Sequence, residues 1–187
     1  FKAITSPVLK PANWDQAMVL PFTPSHRGPA LIVGVSNYES GSSDLPAGMI
    51  YDFSTRKAAG FLTGETGSTG PMCQADLDGD GDLDLFVGGR ILPGQYPSSA
   101  DSVLLENKGG EFQVAHRWAG LGMVQGAVFS DIAGDHRPEL ILALHWDSLR
   151  VFSWKKDRWE PAEITSALGL ESHTGWWNGV ATGDFNN

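Results

Sequence analysis

The sequence repeats itself with a period of about 54 residues, and that period constrains the fold more than any single residue does. Aligned on their apolar runs, the segments 14–35, 68–89, 123–144 and 176–187 bring Phe22, Asp76, Asp131 and Asp184 to equivalent positions, 54, 55 and 53 residues apart. A small and apolar segment precedes each anchor: AMVLPF, PMCQAD, GAVFSD and GVATGD. A turn-like loop follows. Then comes an apolar run, ALIVGV at 30–35, DLFVGG at 84–89 and ELILAL at 139–144. Runs of this kind, bounded by Gly, Pro and Asp, read as buried strands.

A second pair of strands follows in each unit. The candidates are 48–53 with 58–63, 102–107 with 111–116, and 148–154 with 158–163. The connecting turns are short, Lys108-Gly109-Gly110 and Lys155-Lys156-Asp157, and Gly109-Gly110 supplies the positive φ of a tight hairpin. Each unit is therefore four antiparallel strands. One such sheet cannot bury both of its faces alone, whereas radial stacking of sheets does so. The sequence thus predicts an all-β chain of β-propeller blades, with repeats at 14–67, 68–122, 123–175 and an incomplete one at 176–187. The regular spacing disfavours a sandwich of irregular strands, and no Trp-Asp pair ends one of the strands expected here. A propeller closes with four to eight blades. About three and a half units are present, so the chain reads as part of a longer ring.

Composition fits this reading. The chain has 187 residues, 41% of them hydrophobic and 19% charged, which is a globular balance; 23 Gly and 11 Pro suit many turns. The formal net charge of −9 argues against nucleic acid as a partner. No apolar stretch is long enough for a transmembrane helix. Cys73, the single cysteine, reads as a small buried side chain and does not decide the compartment. The start at Phe1, with no signal-like segment, reads as a processed or partial chain.

The chemistry is concentrated in Asp76-Leu77-Asp78-Gly79-Asp80-Gly81-Asp82-Leu83-Asp84, with five carboxylates at alternating positions within nine residues. At ~4 Å each like-charge pair costs on the order of 1 kcal/mol even in water. A hard divalent cation turns that repulsion into ligation, and calcium takes six to eight oxygens in irregular geometry. The spacing is that of the start of an EF-hand loop: Asp76, Asp78 and Asp80 at positions 1, 3 and 5, Gly81 at the sharp turn, and the Asp82 carbonyl at position 7. Position 12 is Val87, within an apolar strand, so Asp84 at position 9 becomes the closing carboxylate. Magnesium, which demands a strict octahedron, fits less well.

The other units vary this loop. Residues 131–139 keep carboxylates at Asp131, Asp135 and Glu139 but carry Ala133 at position 3 and His136 at the turn. That pattern predicts a loop that keeps its shape without its metal. Residues 22–30 hold no carboxylate. In the last unit Asp184 and Asn186 fit positions 1 and 3 and are further metal candidates.

The runs ADLDGDGDLDLFVGG and SVLLENKGGEF resemble an FG-GAP or VCBS-type repeat. Such repeats build the seven-bladed propeller of integrin α chains and occur in secreted bacterial proteins and in the cartilage acidic protein group. The resemblance runs from Trp14 onward. It is specific at 76–90, weaker at 126–144 and only positional at 14–35, and TGWWNGVATGDFNN looks like the approach to another loop. It implies calcium loops between the first and second strands of a blade, with metal roles for Asp76, Asp78, Asp80, Asp82 (through its carbonyl) and Asp84. It also implies a secreted or cell-surface location and a non-enzymatic role in adhesion or protein interaction.

Other chemistries find little support. His26, His116, His136, His145 and His173 include no pair three to five residues apart, and neither a Gly-x-Ser-x-Gly elbow nor a phosphate-binding Gly-rich loop is present. Trp176 and Trp177 precede a first strand at the offset of Trp14. They read as inter-blade packing or as an aromatic platform for a sugar or peptide. The alternatives to adhesion are a carbohydrate-binding or carbohydrate-active propeller, or a non-catalytic appendage of a secreted enzyme.

Overall fold

The structure is a computed structural model that describes residues 15–23, 28–39, 45–63, 67–154 and 159–184. The described residues are nearly all β and contain no α-helix. Three antiparallel sheets follow one another along the chain. The first is β1 (Asp15–Phe22), β2 (Ala30–Ser36), β3 (Gly48–Asp52) and β4 (Lys57–Phe61), ordered as in the sequence. The second repeats that order with β5 (Thr69–Ala75), β6 (Asp84–Gly89), β7 (Ser102–Lys108) and β8 (Glu111–Trp118). The third contains β9 (Val124–Ser130), β10 (Glu139–Ser148), β11 (Arg150–Ser153) and β12 (Ala162–Glu163), to which β13 (Thr174–Trp176) adds on β10. These antiparallel four-stranded meanders have the form of propeller blades.

The middle sheet shows why its strands are continuous apolar runs. Side chains alternate across a strand. Leu85 and Val87 of β6, with Val103 and Leu105 of β7, pack toward the first sheet, among Phe22, Ile32, Phe61 and Met72. Phe86 and Leu104, their alternate neighbours, pack toward the third, among Val124, Leu140, Leu142 and Phe152. Both faces are buried, so neither has a polar alternate. Aromatic rings span the two seams: Phe112 lies 5.4 Å from Phe22, and Trp118 lies 5.3 Å from Phe152.

The first strands of successive sheets lie side by side: β5 packs against β1 and against β9. The Gln74 amide donates to the Pro21 carbonyl at 2.8 Å, and the Thr69 hydroxyl to the Ala47 carbonyl at 2.9 Å, tying the first two sheets together. At Gly126 of β9 a Cβ would stand 2.7 Å from the Gly179 Cα, so the backbone at 179–180 crosses where only glycine leaves room. Each first strand thus approaches the next, as it does around a propeller axis.

Several expected elements shift. The 148–154 strand divides: β10 runs on to Ser148, and β11 holds only Arg150–Ser153. Of the described residues 159–163 only Ala162–Glu163 form a strand, and the turn Lys155–Asp157, with Arg158, lies outside the described residues. Residues 179–184, expected to be a strand, join no β-ladder among the described residues. The short β13 pairs instead with the tip of β10, His145 opposite Trp176 and Ser148 opposite Thr174. Trp14, His26 and Asn186 lie outside the described residues.

Candidate metal centre

The acidic segment folds as the loop from β5 to β6, and its carboxylates are first of all its scaffold. Asp76 accepts from the Gly79 N–H at 2.7 Å with one oxygen and from the Gly81 N–H at 3.0 Å with the other. Asp78 accepts from Asp80 N–H at 3.1 Å, and Asp80 from Asp82 N–H at 2.8 Å. Carboxylates bonding a backbone N–H two or three residues on are the Asx turns that Asp favours. Gly79 and Gly81 sit at φ 83° and 90°, the left-handed region that makes the tight winding possible.

Asp84 closes the loop from the first position of β6. It is 1% exposed, and its two oxygens accept from the Leu77 N–H at 2.9 Å and the Asn107 N–H at 3.0 Å. Asn107 donates to the Leu83 carbonyl at 3.0 Å and accepts from Gly110 N–H at 2.8 Å, so the β7–β8 hairpin buttresses the loop. Burial pushes the Asp84 carboxyl up to about 7, against the pull of its two N–H donors, and the charges of Asp78 and Asp80 add to the rise. Asp78 is raised too, by burial and then by Asp80, Asp76 and Glu106, outweighing its Asp80 N–H donor.

Three of the four expected side chains converge. Oxygens of Asp76, Asp78 and Asp84 lie within 4.8 Å of one another, a spacing that can hold a metal ion. The Asp80 carboxylate is outside this trio, and Asp82 turns its side chain to the Gly109 N–H at 3.0 Å. Glu106 of β7, whose charge reaches Asp78, escaped the sequence reading because the fold brings it to the loop from 22 residues past Asp84. Asp184 is exposed and stands apart from the trio.

The loop from β9 to β10 is built the same way. Asp131 accepts from Gly134 N–H at 2.7 Å and His136 N–H at 2.8 Å, Asp135 from Arg137 N–H at 3.0 Å, and Glu139 from Ile132 N–H at 3.0 Å. His136 takes φ 64° where its counterpart is Gly81. Yet Ala133 replaces Asp78, and no acidic trio forms there among the described residues. The loop shape thus survives without the third carboxylate, as its sequence predicted. The two loops face each other across a cleft lined by Asp76, Asp78, His136, Arg137 and Trp154.

The two tryptophans of the last segment separate. Trp176 is 65% exposed, whereas Trp177 is half-buried with its ring against Gly175. Cys73 packs partly buried against the second seam, and burial drives its thiol pKa well above the usual range.

Successive antiparallel blades, joined first strand to first strand and carrying an acidic loop between the first and second strands, define a repeat protein of the β-propeller type. Residues 76–142 match the family model of the FG-GAP-like repeat, and that stretch is such a repeat. It runs from the first acidic residue into the apolar run of the next unit, somewhat more than one period. No curated protein matches the chain.

Proposed function

We propose that the chain is a calcium-binding segment of an FG-GAP propeller, seven-bladed when complete, that serves outside the cell as an adhesion or protein-interaction module. The supporting observation is the trio Asp76, Asp78 and Asp84 within an FG-GAP-like repeat. Calcium suits it because it takes six to eight oxygens in irregular geometry, which the Asp82 carbonyl, Asp80 and water would complete around the trio. In this reading the metal is structural. It offsets the repulsion among desolvated carboxylates and fixes the loop, and the chain performs no chemical step. No helix among the described residues is long and apolar enough to cross a membrane. The partner is a protein or glycan and not a nucleic acid, given the charge of −9.

Melting with calcium, with magnesium and with EGTA tests this. Calcium is expected to raise Tm and EGTA to reverse the rise, with a Kd of roughly 10⁻⁴–10⁻³ M, the range of extracellular modules. A melt indifferent to all three would refute the metal role. A second reading, a carbohydrate-binding module or an appendage of a secreted enzyme, is favoured by the exposure of Trp176.

A further inference from the structure

At the end of the sheets away from the acidic loops, three segments bring aromatic rings to one place. Tyr96 comes from the β6–β7 connection, Trp146 from the tip of β10 and Trp176 from β13. Tyr96 meets Trp146 edge-on at 5.9 Å, and Trp146 meets Trp176 edge-on at 5.6 Å. His145 stacks on Trp146 at 4.5 Å and stands edge-on to Trp176 at 4.6 Å. The three large rings are nonetheless 54%, 51% and 65% exposed. Aromatic surface of this extent left in water marks an interaction site.

The backbone is arranged to present it. The β10–β13 register slips between His145 and Asp147, and Trp146 adopts φ 61°, a left-handed conformation uncommon for a bulky residue. Asp147 holds the bulge: one oxygen accepts from Ser148 N–H at 2.8 Å, and the other pairs with Arg150 at 2.8 Å. Strain maintained by its surroundings is a pointer to use.

Beside the rings opens a cleft of about 540 Å³, of the size that holds small ligands. Tyr96 and His145 belong to its wall, which also carries Gln16, Gln125, Arg90 and the carboxylates Asp15 and Glu39. Amide groups that both donate and accept, two carboxylates that accept and a guanidinium that donates thus meet beside aromatic faces. Exposed large aliphatic residues are scattered singly: Val19 on β1, Leu83 and Ile132 on the two acidic loops, Val114 on β8 and Leu168 ahead of β13. A protein partner would be matched by mixed aliphatic and aromatic surface. A pyranose has a flat C–H face for an aromatic ring and a rim of hydroxyls, each donor and acceptor at once.

We propose that the cleft walled by Tyr96 and His145, together with Trp146 and Trp176 packed against those two rings, binds a neutral oligosaccharide, stacked on the tryptophans with its hydroxyls toward Gln16, Glu39, Arg90 and Gln125. It develops the carbohydrate-binding reading. The cleft lies away from the metal loop, so calcium removal at a temperature where the fold persists leaves this binding intact. Saturation-transfer NMR with cellotriose, mannotriose and chitotriose, in calcium and in EGTA, is the test. At least one trisaccharide binds with Kd of about 1 mM or tighter, and Trp176→Ala weakens it about tenfold with no change in Tm. Trp146→Gly, which suits the left-handed backbone, gives the same loss and serves as the independent variant. Absence of binding by all three sugars at about 10 mM, or binding undiminished in both variants, overturns the proposal. So does a protein partner displaced by Trp176→Ala where no sugar binds.

Discussion

Replacing Asp78 with alanine separates the metal from the scaffold. In the β9–β10 loop, Ala133 already occupies this position and the other loop bonds are intact. The one bond Asp78 makes to the loop backbone, from Asp80 N–H, has a substitute there: Asp135 N–H turns to Asp131 at 3.1 Å. Asp80 N–H can turn to Asp76 in the same way. The carboxylate removed is also one whose ionisation is opposed by burial and by Asp80, Asp76 and Glu106. Metal-free Asp78→Ala should therefore melt at or slightly above the metal-free parent. With calcium at 100 times Kd, a site present only in the fold adds about 2.7 kcal/mol. For a domain of this size each kcal/mol is worth about 2–4 °C, so the parent should gain roughly 5–10 °C. The variant should gain under about 1 °C, since the trio loses one of its three carboxylates. Differential scanning calorimetry with calcium and with EGTA reads both quantities. A full calcium shift in the variant would refute the ligand assignment. A metal-free Tm several degrees lower would refute the claim that the loop stands without Asp78.

Asp84→Ala should behave differently, because it strips partners from the Leu77 and Asn107 N–H groups; a loss on the order of 2–4 kcal/mol is expected even in EGTA, read by urea unfolding. Phe86→Ala, at the seam between the second and third sheets, should cost about 3–5 kcal/mol and leave the calcium Kd unchanged by calorimetric titration. His116 has a pKa lowered by burial, partly countered by Glu160. The folded state therefore disfavours its charged form, and the stability it allows is complete above the unfolded pKa of about 6.5 and declines as pH falls below it. Tm measured from pH 8 to 5 should decline less in His116→Gln than in the parent, and parallel curves would contradict this.

The blade order was legible because burial on two faces writes itself as apolar runs, such as DLFVGG, at a fixed period. The shape of the second loop was legible because Asp131, Asp135 and Glu139 keep the positions that bond its backbone. The choice of Asp76, Asp78 and Asp84 from five acids was not. It depends on where the wound loop aims each carboxylate, and Asp82 is turned to the Gly109 N–H, 27 residues away. The strand β13 was equally hidden, since Thr174–Trp176 is too short to show alternation and forms only because the tip of β10 outruns β11. Tyr96 and Trp146 carried a faint signal. Both follow an apolar run by a few residues in successive units, which is where the connections at one end of a propeller gather.

The middle sheet, apolar on both sides, has a practical meaning for anyone dividing this chain. Excised alone, 69–118 would present two greasy surfaces to solvent and clump. The smallest soluble piece must keep a neighbour on either flank, so cooperativity resides in the seams, and damage to a single repeat is shared by the repeats beside it.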